Sequence, residues 1–184
     1  ARTGAALAHG EKGHSLALTS CAFTTDSSQV VTASEDSTLR VWTLSAAGGG
    51  PPTLKPIGGP LRGHKGKVQK LVVTPDGQRV LSVGEDQTLR LWDLPTQSLI
   101  GTVGTASGSM TGVALVPHSR YAVTVGEDRA VRLWDLDPSA WLRRACQRAG
   151  RDLTPHEKTL FLGGLEEQKD LGQAPLGPLC PPEP

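Results

Sequence analysis

A threefold internal repeat constrains this chain more than any other feature of its sequence. Residues 30–42 (VVTASEDSTLRVW), 80–92 (VLSVGEDQTLRLW) and 122–134 (AVTVGEDRAVRLW) align without gaps, and in each the Asp of a Glu-Asp pair stands six residues before a Trp. The tryptophans lie 50 and 42 residues apart, and the longer interval contains a Gly/Pro-rich insertion at 46–60. Periods of roughly 20 to 50 residues indicate stacked copies of one small structural unit.

Each repeat has the alternating pattern of short antiparallel strands. In segments 88–92 (TLRLW) and 130–134 (AVRLW), apolar and polar residues alternate as half-buried strands require. Segment 72–81 (VVTPDGQRVL) places two β-rich runs around a Pro-Asp-Gly turn, and 98–103 (SLIGTV) is a further short strand. The sequence therefore predicts an all-β fold in which every repeat supplies four strands.

Composition excludes several classes of function. The 19 Lys and Arg residues balance 18 Asp and Glu residues, so no strong field attracts nucleic acid or anionic lipid. No apolar run reaches the roughly 18 residues of a membrane span. The three cysteines Cys21, Cys146 and Cys180 are odd in number and lack metal-ligand spacing, which favours a reducing compartment. We therefore predict a cytoplasmic chain without nucleic acid, membrane, metal or cofactor.

Paired motifs give the repeat a family resemblance. Trp92-Asp93 and Trp134-Asp135 end two repeats, the first ends on Trp42, and Gly13-His14 and Gly63-His64 precede the repeat Asp at the same distance. These motifs resemble the WD40 family over roughly residues 1–136. The resemblance implies blades of a β-propeller, each a four-stranded antiparallel unit, with the repeats at about 5–44, 54–94 and 98–136.

The resemblance also implies a buried hydrogen-bond chain within each blade. In the family, a loop His, a Ser or Thr on the second strand, the turn Asp and the third-strand Trp are joined in this way. The matching residues are His14, Thr32, Asp36 and Trp42, then His64, Ser82, Asp86 and Trp92, and finally Thr124, Asp128 and Trp134. The third repeat has Ala106 at the His position, so we expect it to close with fewer hydrogen bonds.

The same residues could be interpreted as a catalytic or metal site, and both interpretations are weak. A recurring His, Ser and Asp suggests a hydrolase triad, yet the Ser lies within a strand and the set recurs as scaffolding does. His9, His14 and Cys21 lack a fourth ligand, and 63–67 (GHKGK) lacks the phosphate-loop spacing. We predict that the chain is not an enzyme.

A candidate partner-binding face follows from the resemblance. In the family, the residue before the turn Asp points toward the face that binds partners, and here it is Glu35, Glu85 or Glu127. The first-strand positions implied beside these glutamates are Ala17, Thr19, Lys67, Gln69, Ser109 and Thr111. Two interpretations stay open: an acidic, hydrogen-bonding patch that prefers a basic peptide or protein, or exposed turns that bind nothing.

Three blades are too few for a closed ring. Residues 5–8 (AALA) take the place of a fourth strand whose Trp-Asp would come before residue 1, and residue 1 is Ala rather than Met. Propellers close with typically four to eight blades. The chain is therefore expected either to be the C-terminal part of a longer propeller, with the missing blades as partners, or to complete a ring by homodimerisation.

The segment after the third repeat predicts two short helices and a disordered end. Asp137-Pro138 starts a helix with an apolar stripe, and 154–157 (TPHE) fits a capping box, so 137–162 is predicted helical. Residues 163–184 are Gly/Pro-rich and predicted disordered. The tail resembles the segment that closes bacterial WD40 signalling proteins with N-terminal effectors. It implies a non-catalytic interaction or sensor module regulating such an effector.

Overall fold

The computed structural model describes residues 13–45 and 53–137. This part of the chain contains strands only, in the order β1 (Leu18–Phe23), β2 (Gln29–Ser34), β3 (Thr38–Ser45), β4 (Thr53–Arg62), β5 (Val68–Val73), β6 (Arg79–Gly84), β7 (Thr88–Asp93), β8 (Ser98–Thr105), β9 (Met110–Leu115), β10 (Tyr121–Gly126) and β11 (Val131–Asp135). No helix among these residues could cross a membrane. The predicted strand at 5–8, the helical segment after Asp137 and the disordered end at 163–184 lie outside the described residues.

The strands form three antiparallel sheets, which we call blades 1 to 3. Blade 1 has the order β1-β2-β3-β4, blade 2 the order β5-β6-β7-β8, and blade 3 consists of β9, β10 and β11. The fourth strand of a blade directly precedes the first strand of the next one but pairs backward, as β4 does with β3. The all-β prediction is confirmed, and the described part of blade 3 has three strands rather than four.

The repeats are structurally in phase. Each repeat Trp on the third strand pairs with the same position of the second strand, as Val30 with Trp42, Val80 with Trp92, and Ala122 with Trp134. Because side chains alternate across a strand, this common register places equivalent residues on equivalent faces of all three blades. The gapless alignment of the sequence therefore holds in space.

The apolar core lies between the blades. One cluster joins blades 1 and 2 through Val31, Ala33, Leu39, Val41, Leu61, Val68, Leu71, Val80, Trp92 and Leu94. A second cluster joins blades 2 and 3 through Leu81, Val83, Leu89, Leu91, Ile100, Met110, Ala122 and Leu136. Blade 2 contributes to both clusters, so both faces of its sheet are buried, as sheets stacked face to face require.

The first strands line the inside of the stack. Strand β1 contacts β5, and β5 contacts β9. Polar contacts accompany the apolar ones: the Thr19 hydroxyl donates to the Val68 carbonyl oxygen at 2.5 Å, and the Leu71 N–H to the Ser20 hydroxyl at 3.4 Å. The three blades form an open arc of a propeller, which confirms the expectation of an incomplete ring.

Candidate functional site

A tight turn between the second and third strands carries the predicted partner-binding glutamates. In every blade, the glutamate N–H donates to the carbonyl oxygen of the residue just before the first strand, at 3.0 Å for Glu35 and Ala17, 2.9 Å for Glu85 and Lys67, and 2.9 Å for Glu127 and Ser109. A residue with left-handed backbone follows the turn Asp each time, with φ of 67° at Ser37. The three glutamates thus occupy the same end of three adjacent blades.

Electrostatics distinguishes these glutamates from one another. Lys67 Nζ of blade 2 lies 2.5 Å from Glu35 Oε1 of blade 1, an ion pair that crosses the blade boundary. This hydrogen bond to Glu35 raises the pKa of Lys67 above its ordinary value. Glu85 accepts a 3.2 Å hydrogen bond from Gln69 Nε2, and both Glu85 and Glu127 are exposed. The acidic character of this end therefore rests on Glu85 and Glu127.

The predicted hydroxyl residues have different environments. Thr19 already donates to blade 2 through Val68, so its hydroxyl holds two blades together. The Ser109 Oγ is buried and has no hydrogen-bond partner among the described residues. Thr111 is exposed on β9. Gln69 and Thr111 are therefore the predicted polar residues whose side chains are best placed to contact a partner.

A second set of predicted residues forms a chain of hydrogen bonds inside blade 2. We call this chain the clamp and define it by Trp92, Ser82, His64 and Asp86. The Trp92 indole N–H donates to Ser82 Oγ at 2.8 Å, and that oxygen lies 2.7 Å from His64 Nε2. His64 Nδ1 lies 2.9 Å from a carboxylate oxygen of Asp86. Because the Asp86 carboxylate can only accept, His64 Nδ1 carries a hydrogen and donates to it. All three links lie in a buried environment.

Blade 1 repeats the same clamp with threonine in place of serine. Trp42 Nε1 donates to Thr32 Oγ1 at 2.8 Å, and His14 Nε2 lies 2.9 Å from that oxygen. His14 Nδ1 reaches Asp36 Oδ2 at 3.0 Å. The hydroxyl type is thus interchangeable, because either hydroxyl can accept from the indole and form a second hydrogen bond with the imidazole.

Blade 3 closes without the imidazole. Trp134 Nε1 still donates to Thr124 Oγ1 at 2.7 Å, but the position of the His is taken by Ala106. Asp128 instead receives an ion pair from Arg132 Nη1 at 2.6 Å and a hydrogen bond from the Ala130 N–H at 3.1 Å. The link from the hydroxyl to the carboxylate is therefore missing from this blade.

The clamp aspartates are stabilised as carboxylates. Burial raises the pKa of Asp86, but the hydrogen bonds and charge of His64 and the Lys65 N–H outweigh burial and hold this pKa well below its usual range. In Asp36 the same opposition is resolved mainly by the Thr38 hydroxyl, and the pKa is again lowered. The Ala130 N–H is the main cause of the lowered pKa of Asp128. These groups serve as acceptors, not as acids.

This geometry does not suit hydrolysis. Ser82 is fully buried, and its oxygen is shared between an indole and an imidazole. A nucleophile must face substrate, whereas this hydroxyl faces two side chains of its own blade. In the described part of the chain, no group of three or more His, Cys, Asp or Glu side chains could hold a metal ion.

A cleft of about 590 Å³ lies at the other end of blades 1 and 2. Its walls include Ile57 and Leu94 and the turns that contain Asp26 and Asp76. Hydrogen bonds from the Thr24 hydroxyl and from the hydroxyl and backbone N–H of Ser28 lower the pKa of Asp26 to about 2. Both carboxylates accept hydrogen bonds from residues of their own turns, Asp26 from Thr24 and Ser28 and Asp76 from Gln78.

The sequence analysis missed two kinds of clamp residue. Thr38 and Thr88 donate to their turn aspartates at 2.6 and 2.9 Å, and the third repeat has Ala130 at this position. Arg132 lies 2.6 Å from its turn aspartate, as Arg90 lies 3.6 Å from Asp86, whereas the Nε of their counterpart Arg40 is buried without a hydrogen-bond partner among the described residues. The signal was an arginine two residues before every repeat Trp.

Comparison with known families agrees with this architecture. The family model described as WD domain, G-beta repeat matches residues 7–43, 55–93 and 97–135, over half of the chain. A search of curated proteins found no match. The recurring motifs, the antiparallel blades and the matched segments coincide, and the chain belongs to the WD40-repeat family.

Proposed function

We propose that this chain is a non-catalytic protein-interaction module that binds a basic peptide or protein segment at its acidic end. We call this surface the acidic face and define it by Glu35, Lys67, Gln69, Glu85, Ser109, Thr111 and Glu127. The proposal rests on one observation: the same backbone hydrogen bond holds a glutamate at the same end of each of three adjacent blades. WD40 repeats and blade-like sheets support an interaction module of this kind.

The distribution of charge selects the partner. Lys67 satisfies Glu35, which leaves Glu85 and Glu127 as the exposed carboxylates on adjacent blades. A lysine or arginine side chain placed between these blades would be attracted by two carboxylates. The side-chain amide of Gln69 would be available for a hydrogen bond with the backbone of the bound segment. An acidic segment would be repelled, so the face favours one sign of charge.

The regulatory context is a further part of the proposal. The sequence after Asp137 resembles the tail of bacterial WD40 signalling proteins, in which the propeller accompanies an effector domain. We propose that the module senses a cytoplasmic partner on behalf of such an effector. Balanced charge and the odd cysteine count support an intracellular role.

The acidic face is tested by fluorescence anisotropy with a labelled Lys/Arg-rich peptide and an otherwise identical Glu-rich peptide. The variant Glu85→Gln/Glu127→Gln should weaken binding of the basic peptide by roughly tenfold or more. Its matched control is Gln78→Lys/Ser45→Lys, which changes net charge by the same amount at exposed positions away from the face. Equal loss in both variants, or equal binding of both peptides, would show that the face has no such role.

A further inference from the structure

The contacts between successive blades are built alike but differ in one side chain at the acidic end. We call the contact between blades 1 and 2 the first boundary and that between blades 2 and 3 the second boundary; β1 meets β5 at one and β5 meets β9 at the other. The residue before the later blade's first strand is Lys67 at the first boundary and Ser109 at the second. Each accepts a 2.9 Å hydrogen bond from its own blade's glutamate N–H, so the two positions are equivalent.

At the first boundary, the side chain of Lys67 acts as an internal ligand of the acidic face. Its Nζ lies 2.5 Å from Glu35 Oε1 of the preceding blade, and the charge of Glu85 on its own blade attracts the same ammonium. The side chains of Lys67 and Glu35 are 31% and 37% exposed, so the pair lies at the surface. The place between the glutamates of two successive blades therefore accepts an ammonium group.

The second boundary has a serine where the first has this lysine. Its glutamates are Glu85 and Glu127, which are both exposed, and among the described residues no lysine or arginine forms an ion pair with either of them. The Ser109 Oγ is buried and has no hydrogen-bond partner within residues 13–45 and 53–137. The second boundary thus has the two carboxylates of the first and one further polar group without a partner among these residues.

We propose that the second boundary binds one unmodified lysine side chain of the partner, whose ammonium lies there as the ammonium of Lys67 lies at the first boundary. The inference rests on the proposed function, because it assigns one side chain of the basic partner to one place on the acidic face. Both boundaries lie within the described blades, so the inference does not depend on how many blades the whole protein has.

The hydrogen bonds of Glu85 favour an ammonium over a guanidinium. Gln69 Nε2 lies 3.2 Å from Glu85 Oε1, so one oxygen of this carboxylate already accepts a hydrogen bond. A guanidinium binds a carboxylate best through two parallel hydrogen bonds, one to each oxygen. An ammonium needs one oxygen and has two further hydrogens. Glu127 would accept one of them, and Ser109 Oγ would accept the other after rotation about its Cα–Cβ bond.

The variant Ser109→Lys tests the equivalence of the two boundaries, because it gives the second boundary an internal ammonium. Fluorescence anisotropy of the full chain with a labelled lysine-rich peptide should show binding weakened by roughly fivefold or more. The matched control Gln78→Lys adds the same charge at an exposed position away from the face and should weaken binding by less than about twofold. Circular dichroism compares the folding of both variants. Equal weakening by the two would overturn the proposal.

The double variant Lys67→Ser/Ser109→Lys exchanges the two side chains without changing net charge. The partner's lysine should then bind at the first boundary, so affinity should return to within about threefold of the wild type. In this background Glu35→Gln should weaken binding by roughly tenfold, because Glu35 becomes the carboxylate that the partner's ammonium contacts. If the double variant binds as weakly as Ser109→Lys alone, the two boundaries are not equivalent and the proposal fails.

Peptide chemistry on the wild-type chain separates failure of this inference from failure of the proposed function. The lysine-rich peptide should bind roughly threefold or more tighter than its arginine equivalent, and roughly tenfold or more tighter than its fully acetylated form, which lacks the charges. Equal or tighter binding of the arginine peptide would overturn the lysine site but would keep the preference of the acidic face for basic partners. Equal binding of the lysine-rich and Glu-rich peptides would overturn both.

Discussion

Blades 2 and 3 share a register and a buried indole hydrogen bond but are held by different clamps. In blade 2, His64 links Ser82 to Asp86 through buried side chains, and Thr88 adds a second donor to the carboxylate. In blade 3, Asp128 is held by an arginine at the blade surface and by a backbone N–H. The turn aspartate of blade 2 is therefore held by buried side chains, whereas that of blade 3 is held by a partly exposed arginine and a backbone N–H.

The difference shows what this fold requires. Both blades keep the Trp-to-hydroxyl bond and the strand register, although only one has the imidazole. The other turn of blade 3 has diverged as well, because the Thr-Asp pair of residues 74 and 76 is replaced by Val116 and His118. Packing of the tryptophan and strand pairing are common to both blades, and we expect the clamp to determine how stably each blade is closed.

The largest expected effect comes from the indole itself. Trp92 is 1% exposed and lies between blades 1 and 2, so Trp92→Ala should destabilise the chain by roughly 3–5 kcal/mol. Trp134 is partly exposed, and Trp134→Ala should cost clearly less. Urea unfolding followed by circular dichroism measures both. A loss below about 1 kcal/mol for Trp92→Ala would show that the residue is not a core side chain.

Removal of the imidazole should have the next largest effect. It distinguishes the clamp of blade 2 from that of blade 3. His64→Ala leaves the buried Ser82 and Asp86 without their shared partner, which should cost about 2–3 kcal/mol. The converse change, Ala106→His, should raise the urea midpoint by restoring the missing link in blade 3. If Ala106→His has no effect or destabilises as much as His64→Ala, the clamp does not control blade closure.

Lowering the pH should reduce the stabilisation that the clamp of blade 2 provides. The folded chain lowers the pKa of Asp86 below its ordinary value of 3.8, so the stabilisation is complete above that value. It is lost as the pH falls from about 4 through the folded pKa, because the unfolded chain takes up the proton first. The difference in urea midpoint between the wild type and Asp86→Asn should therefore shrink below pH 4. A constant difference from pH 7 to pH 2.5 would contradict this linkage.

The smallest effect is expected at the arginine that pairs with the turn aspartate of blade 3. Arg132 is partly exposed, so solvent and side-chain entropy offset much of its attraction to Asp128. Arg132→Ala should lower the urea midpoint by less than half of the change in His64→Ala, and 0.5 M NaCl should reduce its effect further. The matched control is Arg90→Ala, whose guanidinium lies 3.6 Å from an aspartate that His64 already holds. A larger loss for Arg90→Ala would reverse the assignment.

The repeat made much of the fold predictable. Periodic strands, the Trp positions and the residues of the clamp are local or strictly recurring, so the spacing of the sequence determines where they meet. The ion pair of Lys67 with Glu35 was not predictable in this way, because it joins two blades and depends on how they stack. Arg132 was missed for another reason: the arginine recurs in every repeat, but its distance from the turn aspartate differs between blades, 2.6 Å for Arg132 and 3.6 Å for Arg90.

Hydrogen exchange resolved by strand tests most directly whether the clamp sets blade closure. Strands β6 (Arg79–Gly84) and β10 (Tyr121–Gly126) are equivalent, and mass spectrometry of the wild type and Ala106→His compares their amides under identical conditions. We predict that β10 exchanges faster than β6 in the wild type, and that Ala106→His slows β10 while leaving β6 unchanged. Equal exchange in both strands, or slowing of both by Ala106→His, would contradict the account.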